Sequence, residues 1–220
     1  MNHPCRAPLI PLLNLAVFAW GCAAPLAQET TPPSEPVQWT SSSQQVFAPP
    51  IVESPQRTPN WCWAACFECA LRSSGVATDQ RTVVRVVKGA VVNEKISIPD
   101  ILAGFNGRGM SVKYVIGKPD RTEVTSFLTG AAPGERRFII ERRANGTLDW
   151  HAVVIWGFEV PPDGRLLVYM YDPLVNREFQ VWYTYDDRWL GTFYVTVTPL
   201  DASKYWVARP NLLTDIRSKQ

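Results

Sequence analysis

Three cysteines fall within eight residues in 58-TPNWCWAACFECA-70: Cys62, Cys66 and Cys69. Beyond residue 27 the chain holds one histidine, His151. A thiol and an imidazole can form a nucleophile with its general base, and three thiols with an imidazole can form a metal site. Spacing separates the two readings. On a helix, positions 62, 66 and 69 share one face, but they spread their sulfurs over about 10 Å of axis, which suits tetrahedral zinc poorly. A disulfide between Cys66 and Cys69 would be strained within a helix. Both residues read better as small, buried helix residues. No metal and no cofactor is expected.

Cys62 differs from the other two because it stands at the start of the helix. Unpaired backbone N–H groups and the helix dipole favour a thiolate there. Its base can only be His151, which opens the apolar strand 151-HAVVIWGF-158. Asp172 ends the following strand, 169-YMYDP-173. In a hairpin the start of one strand lies beside the end of its partner, so Asp172 is expected next to His151, where a carboxylate can orient the ring. Gln56 lies six residues before Cys62. An amide there can donate to an oxyanion beside the Cys62 N–H. Trp61, Trp63 and Trp150 flank these residues and are candidates to line the cleft. Taken singly, each residue also has an ordinary structural reading: His151 as a strand-end histidine, Asp172-Pro173 as a turn, Gln56 as a loop residue.

The elements that must position these groups follow from periodicity. Asn60 as N-cap and Gly75 as stop bound an apolar helix over 61–75. Further helices are expected at 79–90, 99–107 and 120–130, with a strand at 111–117. Strands then dominate: 137–143, 150–160, 165–173, 178–185 and 192–200. Asn145-Gly146 and 161-PPDG-164 supply hairpin turns. Helices first and an antiparallel sheet second predict an α+β domain over 51–220. The segment 28–50 is rich in Pro, Ser, Thr and Gln and reads as a linker.

Hydrophobic residues make up 46% of the 220-residue chain and charged residues 19%, which describes an ordinary globular protein. The formal net charge of +2 and the lack of a basic run give no reason to expect a nucleic-acid partner. The N-terminus reads as an export signal over 1–27: Arg6, an apolar run 9-LIPLLNLAVFAW-20, then small residues. Cleavage after Ala23, Ala24 or Ala27 fits. So does lipidation of Cys22 in a loose lipobox, 19-AWGC-22, and that lipid is the one membrane link expected. The protein is therefore expected to be exported: periplasmic, an outer-membrane lipoprotein, or secreted.

The order Gln, Cys at a helix start, His on a strand and Asp on the next strand resembles the papain-like cysteine peptidases. The block 56-QRTPNWCWAACFECAL-71 resembles their bacterial branch whose helix opens with Cys-Trp-Ala-Ala, which includes secreted effector proteases. The segments 151-HAVVIWGF-158 and 171-YDP-173 also resemble the bacteriocin-leader-cleaving peptidase domains of exporters. The resemblance spans roughly residues 50 to 200. It implies a papain-like α+β fold, with the Cys on a central helix packed on the antiparallel sheet. It implies a protein or peptide substrate, Cys62 as nucleophile, His151 as general base and then acid, Asp172 as orienting residue and Gln56 as oxyanion donor. The chain lacks papain's Cys-Gly-Ser-Cys-Trp signature, its large pro-domain and its disulfides. Deamidase or transglutaminase chemistry at the same site, or an inactive binding module, are the alternatives to peptide hydrolysis.

Overall fold

The computed structural model describes residues 45–144, 150–183 and 188–208, all of one compact unit. The expected signal segment with Cys22, most of the 28–50 linker and the Asn145-Gly146 turn lie outside the described residues.

The cysteine-bearing helix α1 spans Cys62–Ser73. Its sequence is apolar on every side, so it must be buried all round. The ten residues from Cys62 to Leu71 are indeed buried, Glu68 among them. It ends in a Schellman turn. The Gly75 N–H donates to Arg72 O (2.9 Å) and the Val76 N–H to Leu71 O (3.0 Å), with Gly75 at φ +84°. At the other end the structure corrects the expected cap. Trp61 is the N-cap residue and makes no side-chain cap bond. Asn60 instead donates its amide to Asn93 O (3.1 Å).

Helix α2 (Gln80–Lys88) is capped by Asp79, which accepts from the Thr82 N–H, and stops at Gly89 in the left-handed region. Helix α3 (Ile98–Phe105) has Ser97 as its cap. Helix α4 (Arg121–Thr129) opens with a capping box between Asp120 and Glu123. The strands are β1 (Gln45–Phe47), β2 (Met110–Ile116), β3 (Arg136–Ala144), β4 (Trp150–Val160), β5 (Leu167–Asp172), β6 (Arg177–Trp182) and β7 (Trp189–Val197). Helix α5 (Pro199–Trp206) closes the described chain. Two elements were not anticipated: β1, which lies inside the expected linker, and α5.

One antiparallel sheet runs in the order β2-β7-β3-β4-β5-β6. β3 covers β4 as far as Ile155, and β1 pairs with the remainder of β4, Phe158 to Val160. Alternate residues divide the core between the two faces. Ala152, Val154 and Tyr171 join the core that holds α1, while Val153, Ile155 and Met170 join a second core with Val124 and Leu128 of α4. The fold is α+β, as expected, with the cysteine helix packed on the sheet and α4 on the opposite face.

Stacked rings bind the helical face together. Phe67 of α1 meets Phe105 of α3 at 3.7 Å between centroids, and Phe105 meets Trp206 of α5 at 4.9 Å. Burying each such ring contributes roughly 1.5–3 kcal/mol. Among the described residues no helix is long and apolar enough to cross a membrane.

Candidate active site

Cys62 is the first residue of α1, one position nearer the end than the sequence implied. The first N–H groups of a helix have no intrahelical acceptor. Here no side chain caps them and no acidic residue occupies the first turn. Negative charge on the Cys62 sulfur therefore meets unopposed N–H dipoles.

His151 comes from the start of β4 and Asp172 from the end of β5. The N–H at Nε2 of His151 donates to Asp172 Oδ1 over 2.7 Å. Cys62 lies near enough to the ring for its side chain to raise the His151 pKa. Thiol, imidazole and carboxylate thus come together at one place in the fold. The Asp172 oxygen also accepts from the Leu174 N–H (2.9 Å), which fixes the carboxylate at the head of its turn. Tyr171 secures the same turn by donating its hydroxyl to Asn176 Oδ1 (2.8 Å).

A β-bulge brings the last two members together. Pairing runs Phe158 with Val168 and Gly157 with Tyr169, then slips by one so that Ile155 faces Met170 and Val154 faces Tyr171. One register step further puts Asp172 opposite Val153, in step with His151 along β4. Without the extra residue Asp172 would stand opposite Val154, out of step with His151.

The electrostatics follow from this geometry. Burial pulls the His151 pKa down, but the hydrogen bonds and charges of Asp172 and Cys62 outweigh it and raise the value from 6.5 to about 9. The ring is therefore an imidazolium at neutral pH. Burial also opposes the Asp172 charge. The bond and charge of His151, the Leu174 N–H and the charge of Arg143 prevail, holding the carboxyl below its usual value. Cys66 and Cys69 differ sharply from this pattern. Both are fully buried free thiols. Burial pushes Cys66 well up, and it pushes Cys69 up to about 12. They are packing residues. No group of three or more His, Cys, Asp or Glu among the described residues is arranged to hold a metal ion.

Gln56 sits on an extended strap, residues 51–57, that runs beside the β5–β6 turn. Its backbone N–H donates to Pro173 O (2.8 Å). Its side-chain amide donates to Thr58 O (2.8 Å) and Pro59 O (2.7 Å), while Oε1 is buried without a partner. In this state the amide braces the turn that leads into α1.

The tryptophans require a correction. Trp61 and Trp63 are 5% and 1% exposed. Their indole N–H groups donate to Val92 O (2.8 Å) and Glu94 O (3.4 Å). Through these bonds both rings pin the α2–α3 loop. Trp150 alone is half-buried, with the Arg142 guanidinium 5.2 Å from its ring centre.

Sequence reasoning missed two residues behind the site, Glu68 and Gln80. Both are polar and almost wholly buried, at 1% and 0% exposure. The one available signal was Glu68, a lone charge in an otherwise apolar helix.

No protein-family model and no curated protein matches the chain. Among solved structures, the chain is similar to the crystal structure of a double glycine motif protease from an AMS/PCAT transporter in complex with the leader peptide. Identity is 20%, the TM-score is 0.45, and the match covers 72% of this chain and 96% of that one.

Proposed function

We propose that the protein is a papain-like thiol hydrolase that cleaves peptide bonds. The observation that carries this reading is the His151 ring, bonded to Asp172 through Nε2 and close enough to Cys62 for the thiol to raise its pKa. With His151 as imidazolium, the Cys62 sulfur attacks the scissile carbonyl as thiolate. The negative oxygen that develops is held by the Cys62 N–H and by Gln56. An oxyanion is a stronger acceptor than a peptide carbonyl, so one Gln56 N–H is redirected to it from Thr58 or Pro59. His151 protonates the leaving amine, and water activated by the neutral ring then resolves the thioester. Asp172 keeps the ring oriented throughout.

The test is digestion of an unbiased peptide library, read by mass spectrometry. Wild type is expected to yield new termini and Cys62→Ala none. Equal cleavage by the two proteins would sink the assignment. Release of ammonia from glutamine side chains without new termini would move the reaction to the deamidase class.

We also propose that the enzyme is exported by one of two routes: removal of the signal after Ala23, Ala24 or Ala27, or cleavage before Cys22 with a lipid on that residue. Intact mass of the exported protein checks this. A lipid-modified Cys22 terminus or a bare terminus between residues 24 and 28 is expected, and retention of Met1 rejects both routes.

A further inference from the structure

Gln80 is the first residue of α2 and is 0% exposed. Its amide bridges three chain segments. Nε2 donates to Pro55 O (2.8 Å) and to Glu68 Oε2 (2.8 Å), and Oε1 accepts from the Arg57 N–H (3.0 Å). Residues 55 and 57 flank Gln56. Gln80 thus grips the strap on both sides of Gln56, much as a neighbouring strand would, while the Gln56 N–H grips Pro173 on the other edge. Glu68 lies on α1, the helix that carries Cys62, and Arg72 completes its shell at 3.6 Å. Both donors and the acceptor of the Gln80 amide are engaged.

A buried carboxylate and a buried amide are costly unless paired. Packing alone would be served equally well by two apolar side chains. What apolar side chains cannot do is hold the backbone carbonyl and N–H on either side of Gln56. An oxyanion donor displaced by about 1 Å loses much of its effect. We propose that Gln80, held by Glu68, is a positioning residue for Gln56, locking the strap to the helix that bears the nucleophile. The proposal rests on the thiol-hydrolase reading of the site.

Two reactions of Cys62 separate this role from a general structural one. Acylation by p-nitrophenyl acetate forms a sulfur–acyl bond and expels p-nitrophenolate through an oxyanion. Alkylation by iodoacetamide displaces iodide and forms no oxyanion. The readout is the ratio of the two rates, measured with Glu68→Met/Gln80→Met, with Gln80→Asn and with Glu68→Gln. The double variant removes both buried polar partners together. Gln80→Asn keeps an amide for Glu68 but is one methylene too short to reach the strap, and it retains the fold even if the double variant does not. Glu68→Gln keeps an acceptor for Gln80.

Removing an oxyanion donor outright costs about 100-fold to 1,000-fold, so displacing one should lower the ratio by about 10-fold or more. That fall is expected in the first two variants, with alkylation near the wild-type rate. Glu68→Gln should restore the wild-type ratio. An unchanged ratio in folded Gln80→Asn, or equal losses in both reactions, overturns the proposal. Wild-type Cys62 that p-nitrophenyl acetate fails to acylate would instead overturn the hydrolase reading.

Discussion

His151 Nε2 and Asp172 Oδ1 stand 2.7 Å apart because β4 carries one residue more than β5 between their shared turn and the site. The extra residue brings Asp172 and His151 into the same alternation on neighbouring strands. An antiparallel pair has a period of two, so one insertion is the smallest change that can do this. Gly157 permits it. A Cβ there would lie 2.6 Å from Phe47 O and 2.9 Å from the Tyr169 ring.

Gly157→Ala should therefore destabilise the fold by about 1–3 kcal/mol, the usual cost of overpacking. The clash is partly with backbone, which cannot step aside as a side chain can. A thermal melt that matches wild type would show that β1 yields freely.

Cys62 should be alkylated before its two neighbours. It is 8% exposed and lies beside His151, while Cys66 and Cys69 are fully buried with raised pKa values. Iodoacetamide at mildly acidic pH, followed by peptide mapping, gives the order. Faster labelling at Cys66 or Cys69 contradicts it.

Removing His151 or Asp172 should cost activity unequally. His151→Ala should lose about 100-fold to 10,000-fold, the usual contribution of a general base. Asp172→Asn keeps an oxygen that can accept from Nε2–H and should retain part of the activity. Asp172→Ala keeps neither charge nor acceptor and should fall further. Each variant needs a cooperative melt like that of wild type, since Asp172 also heads a turn. An Asp172→Ala enzyme as active as wild type would remove Asp172 from the site.

The His151 ring should titrate near pH 9 by NMR, and its midpoint should drop in Asp172→Ala, which lacks both the bond and the charge that raise it. The consequence for stability has a definite sign. The folded value lies above the ordinary 6.5, so protonated His151 stabilises the fold fully below about pH 6.5, and that contribution is lost as pH climbs through 9. Asp172 works in the opposite sense. Its lowered value adds stability above the ordinary carboxylate range that disappears on acidification. Wild-type Tm should thus decline between pH 6.5 and 9 more steeply than that of Asp172→Ala. Parallel slopes would contradict the coupling.

The pairing of His151 with Asp172 was readable from residue types because each had few candidates. One histidine remained for the base, and a short turn forced the end of its partner strand alongside. Helix limits were readable where local chemistry sets them, as at Asp79, Gly75 and the Asp120–Glu123 box. What escaped depends on partners distant in sequence. The three residues of β1 form a strand because Phe158 to Val160 lie open beyond β3, and nothing in a polar linker announces that. Helix α5 is held by the stack of Trp206 on Phe105. The bulge in β4 has no local signature beyond a glycine. Trp61 and Trp63 looked like cleft walls because they flank Cys62 in sequence, and direction on a buried helix is decided by packing. Gln80 escaped because its partners on the strap lie 23 and 25 residues away.

β1 also marks the end of β4 that lies away from His151. Gln45 pairs with Val160 at the last residue of β4, whereas His151 is its second. At about 3.3 Å per residue these positions are roughly 30 Å apart. Gln45 and His151 thus stand at opposite ends of β4. A hold taken on the Gln45 end of that strand would leave the His151 end untouched.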